Sequence, residues 1–183
     1  IPAAERLESG VAAILIDDPA NAWPMQFADS KRTSSAPSPL RLGNSAAVLA
    51  TVTLPVPERR GLIGRDWEES NLRCGAITAP VVAGGLLVAA ITDGQTVHGF
   101  DAISGVPRWI HRAAARIDSA PTLARGLVVF GTRDGSITAL RGSDGALVWR
   151  HLVATNRRQI VIDGQVESVW AVHGSVLVRE GKV

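Results

Sequence analysis

The chain has little of what most site chemistries need. A single cysteine, Cys74, stands in 183 residues. It cannot close an internal disulfide, and no Cys/His spacing of the kind that holds zinc is present. Met25 is the only methionine, which excludes a soft, adaptable Met surface. Basic residues are not clustered. Nineteen Lys and Arg oppose seventeen Asp and Glu, and the densest basic steps are Arg59-Arg60 and Arg157-Arg158. A nucleic-acid-binding face, which needs a concentrated basic patch, is therefore not expected. No secretory h-region opens the chain, because Glu5, Arg6 and Glu8 interrupt it. The chain starts at Ile1 and stops at Val183 inside an apolar run, so it reads as a fragment of a longer protein.

Against these absences stands one uncharged run, residues 74–92 (CGAITAPVVAGGLLVAAIT). Its nineteen residues approach the ~20 needed to cross a bilayer. Pro80 and Gly84-Gly85 break it into two strand-length pieces around a two-residue turn, which is a hairpin pattern and argues against a membrane span.

The hairpin recurs. Residues 79–94 (APVVAGGLLVAAITDG) and 120–135 (APTLARGLVVFGTRDG) share eight identities in sixteen positions at an offset of 41. FDAISGVPRW (100–109) aligns with LRGSDGALVW (140–149) at an offset of 40, pairing Gly105 with Gly145 and Trp109 with Trp149. The one-residue difference falls between Asp93 and Gly99, where a turn or bulge absorbs it. A third copy begins at GSVLVREGKV (174–183), with Gly181 in the place of Gly126.

Each unit resolves into four short strands. In the second they are expected near Ser119–Ala124, Leu127–Thr132, Ser136–Arg141 and Ala146–Leu152, with Asp-Gly steps supplying the positive φ of tight turns. Four strands in ~40 residues, repeated, indicate a β-propeller blade. With the first strand innermost, the fourth-to-first and second-to-third links share one rim. That rim would carry Arg112, Arg116, Asp118, Asp93, Arg133 and Asp134, and the insertion between Ala154 and Trp170.

The repeat resembles the PQQ-like (quinoprotein alcohol dehydrogenase-like) β-propeller family. That family's motif is Ala-x-Asp-x-x-x-Gly-x-x-x-Trp. Gly99-x-Asp101-x-x-x-Gly105-x-x-x-Trp109 matches with Gly for Ala, and Ala139-x-Arg141-x-x-x-Gly145-x-x-x-Trp149 matches with Arg for Asp. IDGQVESVWAVHGSVLV (162–178) and NAWPMQFADSKRTSS (21–35) are similar to stretches of large bacterial proteins carrying such propellers. The resemblance is strong over 75–183 and weak over 1–66. It implies an all-β, partial propeller of four-stranded antiparallel blades with an incomplete ring. It makes Gly105, Trp109, Gly145 and Trp149 blade-docking positions, and Trp149→Ala is then expected to destabilise by about 3–5 kcal/mol. It also implies a periplasmic or extracellular location.

The family spans cofactor-free scaffolds and quinone dehydrogenases. A dehydrogenase would need PQQ with Ca²⁺, which takes six to eight oxygen ligands. No close Asp/Glu/Asn cluster offers them, and the adjacent cysteine pair of some members is absent. Asp93 and Asp134 read as Asp-Gly turn residues. His173-Gly174-Ser175 lacks a nucleophile elbow, and His98, His111 and His151 are scattered. No catalytic, cofactor or metal residue is assigned. Arg116, Asp118, Arg133, Asp134, Glu167 and His173 are the candidate rim contacts for a protein or small-molecule ligand. The expected function is a non-catalytic binding or scaffold propeller, with a fragment of a PQQ-dependent alcohol dehydrogenase as the alternative.

Residues 1–38 read as an N-terminal segment and linker, the end of a preceding module. Residues 39–183 read as blades, with full units near 75–112 and 116–153, a partial unit from 168, and the remaining blades supplied by the parent chain. Strands are expected at Val11–Ile16 and Ala46–Leu54, and a Ser/Pro-rich loop at Ser30–Pro39. Trp67 is placed to close a preceding blade, GLIGRDW (61–67) has no assignment, and Trp23 and Trp170 are expected to pack in linkers.

Overall fold

The computed structural model describes residues 2, 5–13, 22–35, 48, 50–58, 75–162, 164–180 and 182–183. Cys74, Trp67, Arg59-Arg60, Gly181, Pro37, Pro39, residues 61–67 and much of both N-terminal strand candidates lie outside them. The described residues contain eleven strands: β1 (Leu7–Ser9), β2 (Val81–Ala83), β3 (Leu86–Ile91), β4 (Thr96–Asp101), β5 (Pro107–Arg112), β6 (Thr122–Ala124), β7 (Leu127–Gly131), β8 (Ser136–Arg141), β9 (Leu147–Leu152), β10 (Gln159–Ile162) and β11 (Gln165–Ser168).

Two antiparallel blades form, β2-β3-β4-β5 and β6-β7-β8-β9. The uncharged run is the β2–β3 hairpin, with Gly84 and Gly85 at φ +56° and +72°. Arg125-Gly126 makes the same turn in the second blade at +50° and +80°. Among the described residues no helix is long and apolar enough to cross a membrane. The offset change from 41 to 40 is absorbed in the β3–β4 turn, where the extra residue Gln95 sits at φ +53°. Both blades carry the same irregularity, a register shift at Gly99/Phe100 and at Ala139/Leu140. The repeat is thus conserved down to a bulge between the third and fourth strands.

The main core lies between the blades. Val81, Val88, Ala90 and Val97 of the first blade meet Leu123, Val128, Phe130 and Leu140 of the second, with Ile117 buried in the link between them. Alternation along β7 sends Val128 and Phe130 to this seam and Val129 to the opposite face, where Ala139 and Val176 cover it.

Trp109 ties the seam. It is 8% exposed, and its indole N–H donates to the Gly142 carbonyl of the next blade at 2.8 Å. A Cβ on Gly145 would lie 2.6 Å from the indole, so only glycine admits the ring there. Gly99, opposite Trp109, is also covered by the indole, so an alanine methyl there would overlap the ring. That explains the departure from the family's alanine. Trp149 differs. It is half-buried and packs against the Val129/Ala139/Val176 cluster, in which Val176 belongs to the third copy. Over Gly105, the counterpart of Gly145, lie Ala50 and Val52.

The N-terminal segments contribute edges. β1 adds a fifth strand outside β9, pairing Ser9 with Trp149 and Leu7 with His151, and Gly10 and Val11 extend the pairing by donating to Val148 and Leu147. Trp23 exchanges backbone hydrogen bonds with Val82, while Leu123 N–H donates to the Pro24 carbonyl. Residues 23–25 therefore bridge the inner edges of both blades, burying Met25. Trp23 and Trp170 remain 38% and 52% exposed. Among the described residues of the third copy, 174–180 and 182–183, no named strand appears, and an Arg179↔Lys182 bridge marks the expected turn. Residues 50–54 are likewise not in a strand.

Candidate functional site

Backbone pairing sets the rim. The Arg133 N–H donates to the Arg116 carbonyl at 2.9 Å, and the Ser168 N–H donates to the Arg133 carbonyl at 2.8 Å. The β5–β6 link, the β7–β8 turn and strand β11 are thereby laced side by side. The 154–170 insertion is a β10–β11 hairpin, and it delivers Glu167 into this lacing.

Five side chains converge there. Arg116 Nε lies 3.6 Å from Asp93 Oδ1 and 3.3 Å from Glu167 Oε1. Arg133 Nη1 donates to Glu167 Oε2 at 3.1 Å, and Arg133 Nε lies 2.7 Å from Asp118 Oδ2. The result is an alternating chain, Asp93–Arg116–Glu167–Arg133–Asp118. The Arg116 and Glu167 side chains are 2% and 1% exposed. His173 sits at its end, Nδ1 3.5 Å from Asp118 Oδ2, and is largely exposed.

Burial of this kind demands pairing, because an isolated buried charge is strongly disfavoured. The chain therefore pins three links together. Buried ion pairs are weak evidence of net stability but strong evidence of position, since removing one partner strands the other. Four of the six rim candidates, Arg116, Asp118, Arg133 and Glu167, are in the chain, and His173 caps it.

Asp134 is elsewhere. Its carboxylate accepts from Thr132 Oγ1 at 2.6 Å and Ser136 N–H at 3.0 Å, and pairs with Arg150. It is a turn residue. Asp93 occupies the matching repeat position but faces Arg116, because Ile110 stands where the second blade has Arg150. Arg112 ends β5 and is exposed.

His98 is buried and His111 half-buried. Desolvation pushes His98 and His111 below their ordinary 6.5. Thr96 Oγ1 lies 2.9 Å from His98 Nε2, and His111 meets Phe130 edge-on. The exposed turns carry depressed acids. Asp101 is held well below the carboxylate range by the Ser104 N–H, Arg108 and the Ser104 hydroxyl, and Asp144 falls to about 2 beside Arg141. This stabilising role of Asp101 matches its place in the repeat motif.

Among the described residues no group of three or more His, Cys, Asp or Glu is arranged to hold a metal ion. The three rim carboxylates each face a guanidinium, so the donor set does not fit Ca²⁺, which wants six to eight oxygens and no adjacent cation.

Residues 17–183 match the family model described as outer membrane protein assembly factor BamB. The chain belongs to this family. No curated protein matches it significantly. Among solved structures it is similar to BamB from Moraxella catarrhalis, with 24% identity over 42% of this chain and 26% of that one, at a TM-score of 0.36. It is also similar to the quinohemoprotein alcohol dehydrogenase of Comamonas testosteroni, with 18% identity over 75% and 20% and a TM-score of 0.46. A europium-containing methanol dehydrogenase gives 22% identity over 42% and 15%, with a TM-score of 0.38. The BamB-family chain thus spans about a quarter or less of each of these proteins.

Proposed function

We propose that this chain is part of a non-catalytic, extracytoplasmic scaffold propeller that presents its rim to a ligand or protein partner. The observation that carries this reading is the commitment of the rim. Asp93, Glu167 and Asp118 are each held by Arg116 or Arg133, whereas a general base or a cation site needs a carboxylate free to act. Such a clasp fixes loop geometry, and fixed loops on a rigid repeat scaffold are what a recognition surface requires. The family's description as an outer membrane protein assembly factor supports the same reading, and a periplasmic or extracellular location goes with it.

The reading places recognition on protein or small-molecule contacts and assigns no role to PQQ. Titration with PQQ and Ca²⁺, followed by quinone absorbance and dye-linked alcohol oxidation, tests it. The expected result is neither a retained quinone spectrum nor turnover. Tight PQQ binding with alcohol oxidation would overturn the scaffold reading in favour of a quinoprotein dehydrogenase.

A further inference from the structure

The outer edges of the two blades are not equivalent. β9, the outermost strand of the second blade, carries β1 along its free side, whereas β5, its counterpart, has no strand beyond it among the described residues. Exposure follows. Every residue of β9 is half-buried, while Pro107, Arg108, Ile110 and Arg112 of β5 are exposed, Ile110 at 64%. Backbone parity says which groups the open edge offers. The Ala113 N–H turns inward to the Gln95 carbonyl at 2.8 Å. Antiparallel ladders alternate, so His111 and Trp109 pair inward with β4, and Arg108, Ile110 and Arg112 turn their N–H and C=O groups outward. The second blade shows what such a row binds. The Leu152 N–H donates to the Arg6 carbonyl, and the Val148 carbonyl accepts from the Gly10 N–H, both at 2.8 Å. Val148, Arg150 and Leu152 are the repeat counterparts of Arg108, Ile110 and Arg112.

We propose that the free edge of β5 docks an extended segment of a protein partner, added as a further antiparallel strand with an acidic residue opposite Arg112 and an apolar residue opposite Ile110. The edge uses none of the five ion-paired rim side chains.

The side chains along the edge select the occupant. On β9 the register places Arg6 opposite Leu152 and Glu8 opposite Arg150, and Arg150 Nη1 lies 3.9 Å from Glu8 Oε2. An acidic residue on the added strand thus answers the arginine of the outer strand. On β5 the arginine stands at 112 and the aliphatic residue at 110, so the matching pattern, read from the N-terminus of the added strand, becomes acid-x-apolar. The β1 segment of a second copy has the wrong pattern. It would set Arg6 opposite Arg112, and like charges directly opposite destabilise a strand pair. Arg108 is held by Asp101 at 2.7 Å and adds little to the choice. Pro107 and the two arginines guard the edge against indiscriminate pairing, and a strand that answers Arg112 passes that guard. Main-chain bonds then supply affinity and alternate side chains supply specificity, as in strand addition generally.

The test is a titration of the protein with the acetylated and amidated heptapeptide Thr-Glu-Thr-Ile-Thr-Thr-Gly, followed by amide NMR shifts and hydrogen exchange. The same peptide with lysine for glutamate, and the β1 sequence Glu-Arg-Leu-Glu-Ser-Gly-Val, are run alongside. Saturable shifts and slowed exchange are expected at the Ile110 and Arg112 amides. Exchange at Trp109 and His111 should not change, because those N–H groups already pair with β4. Both control peptides should bind weaker by about fivefold or more. Arg112→Glu should reverse the order of the glutamate and lysine peptides. Ile110→Pro removes an outward donor without breaking the β4 ladder, and should abolish binding while the far-UV circular dichroism is retained. No saturable shift at β5, shifts confined to β9 as a peptide displaces β1, equal affinity for the glutamate and lysine peptides, or an unreversed order in a folded Arg112→Glu would each overturn the proposal. Tightest binding by the β1 sequence would overturn the separate partner in favour of a second copy of this chain.

Discussion

Replacing Trp109 by alanine separates a true seam residue from its repeat counterpart. Trp109 is 8% exposed and bonded across the seam to Gly142. An indole buries about 150–250 Å². At about 25 cal/mol per Å² that is roughly 4–6 kcal/mol, an upper bound that a compact denatured chain lowers by about 10–40%. Loss of the N–H leaves the Gly142 carbonyl unsatisfied, adding about 1 kcal/mol. Together with the methyl that alanine retains, the expected loss is about 4 kcal/mol, inside the ~3–5 kcal/mol range for Trp→Ala. Trp149→Ala should cost about half as much, roughly 2 kcal/mol, because that ring is only half-buried. The ~3–5 kcal/mol expected from the repeat alone is the cost of a fully buried ring. Urea unfolding followed by far-UV circular dichroism measures both, with equal m-values as the check that the denatured state is unchanged. If Trp149→Ala costs as much as Trp109→Ala, the seam assignment is wrong. If Trp109→Ala costs less than ~1 kcal/mol, the indole is not locking the blades.

Four further outcomes are expected. Glu167→Ala should destabilise by about 3–5 kcal/mol, because it strands Arg116 and Arg133 without their shared carboxylate, and Glu167→Gln should recover part of that in the same urea titration. Gly135→Ala should cost clearly more than Gly84→Ala. Both sit at positive φ, worth about 1–2 kcal/mol, but only at 135 would the new Cβ meet Ala154 at 2.7 Å and the Trp170 carbonyl at 2.9 Å. The Asp144 carboxyl is depressed in the folded chain, so its contribution is present above the ordinary 3.8 and fades as pH falls towards about 2; Asp144→Asn should flatten the acid limb of a melting-temperature profile in that window. His98 and His111 act in a higher window. Their folded values lie below 6.5, so the unfolded chain takes up protons first and stability falls as pH drops below 6.5; His98→Gln should remove part of that slope in thermal melts.

The blades were legible because their information is local. Two-residue turns, period-2 alternation and an offset of 40–41 locate β6–β9 to within a few residues, and the largest miss, the late start of β6, follows Pro121, which cannot donate to a ladder. The long-range edges were not legible. β1 pairs across some 140 residues with β9 through three exposed residues that carry no apolar pattern, and Trp23–Met25 caps two strands by backbone bonds that no side chain announces.

The rim falls between these cases. Topology alone brings Arg116, Asp118 and Arg133 to one edge, so their proximity follows from the repeat. Their burial does not, since it depends on the β10–β11 hairpin folding Glu167 back over them. The two Asp-Gly turns make the same point. Asp134 and Asp93 share a motif and a turn position, and both sit in their turns, but only Asp134 is held by a cation of its own blade, Arg150. At 93 the corresponding neighbour is Ile110, exposed and apolar, and the carboxylate turns to Arg116 on the link to the next blade. A motif fixes the backbone at such a turn, but the charge at its tip is placed by whichever cation the neighbouring strands supply. Repeat proteins can therefore diversify a rim without altering a single turn.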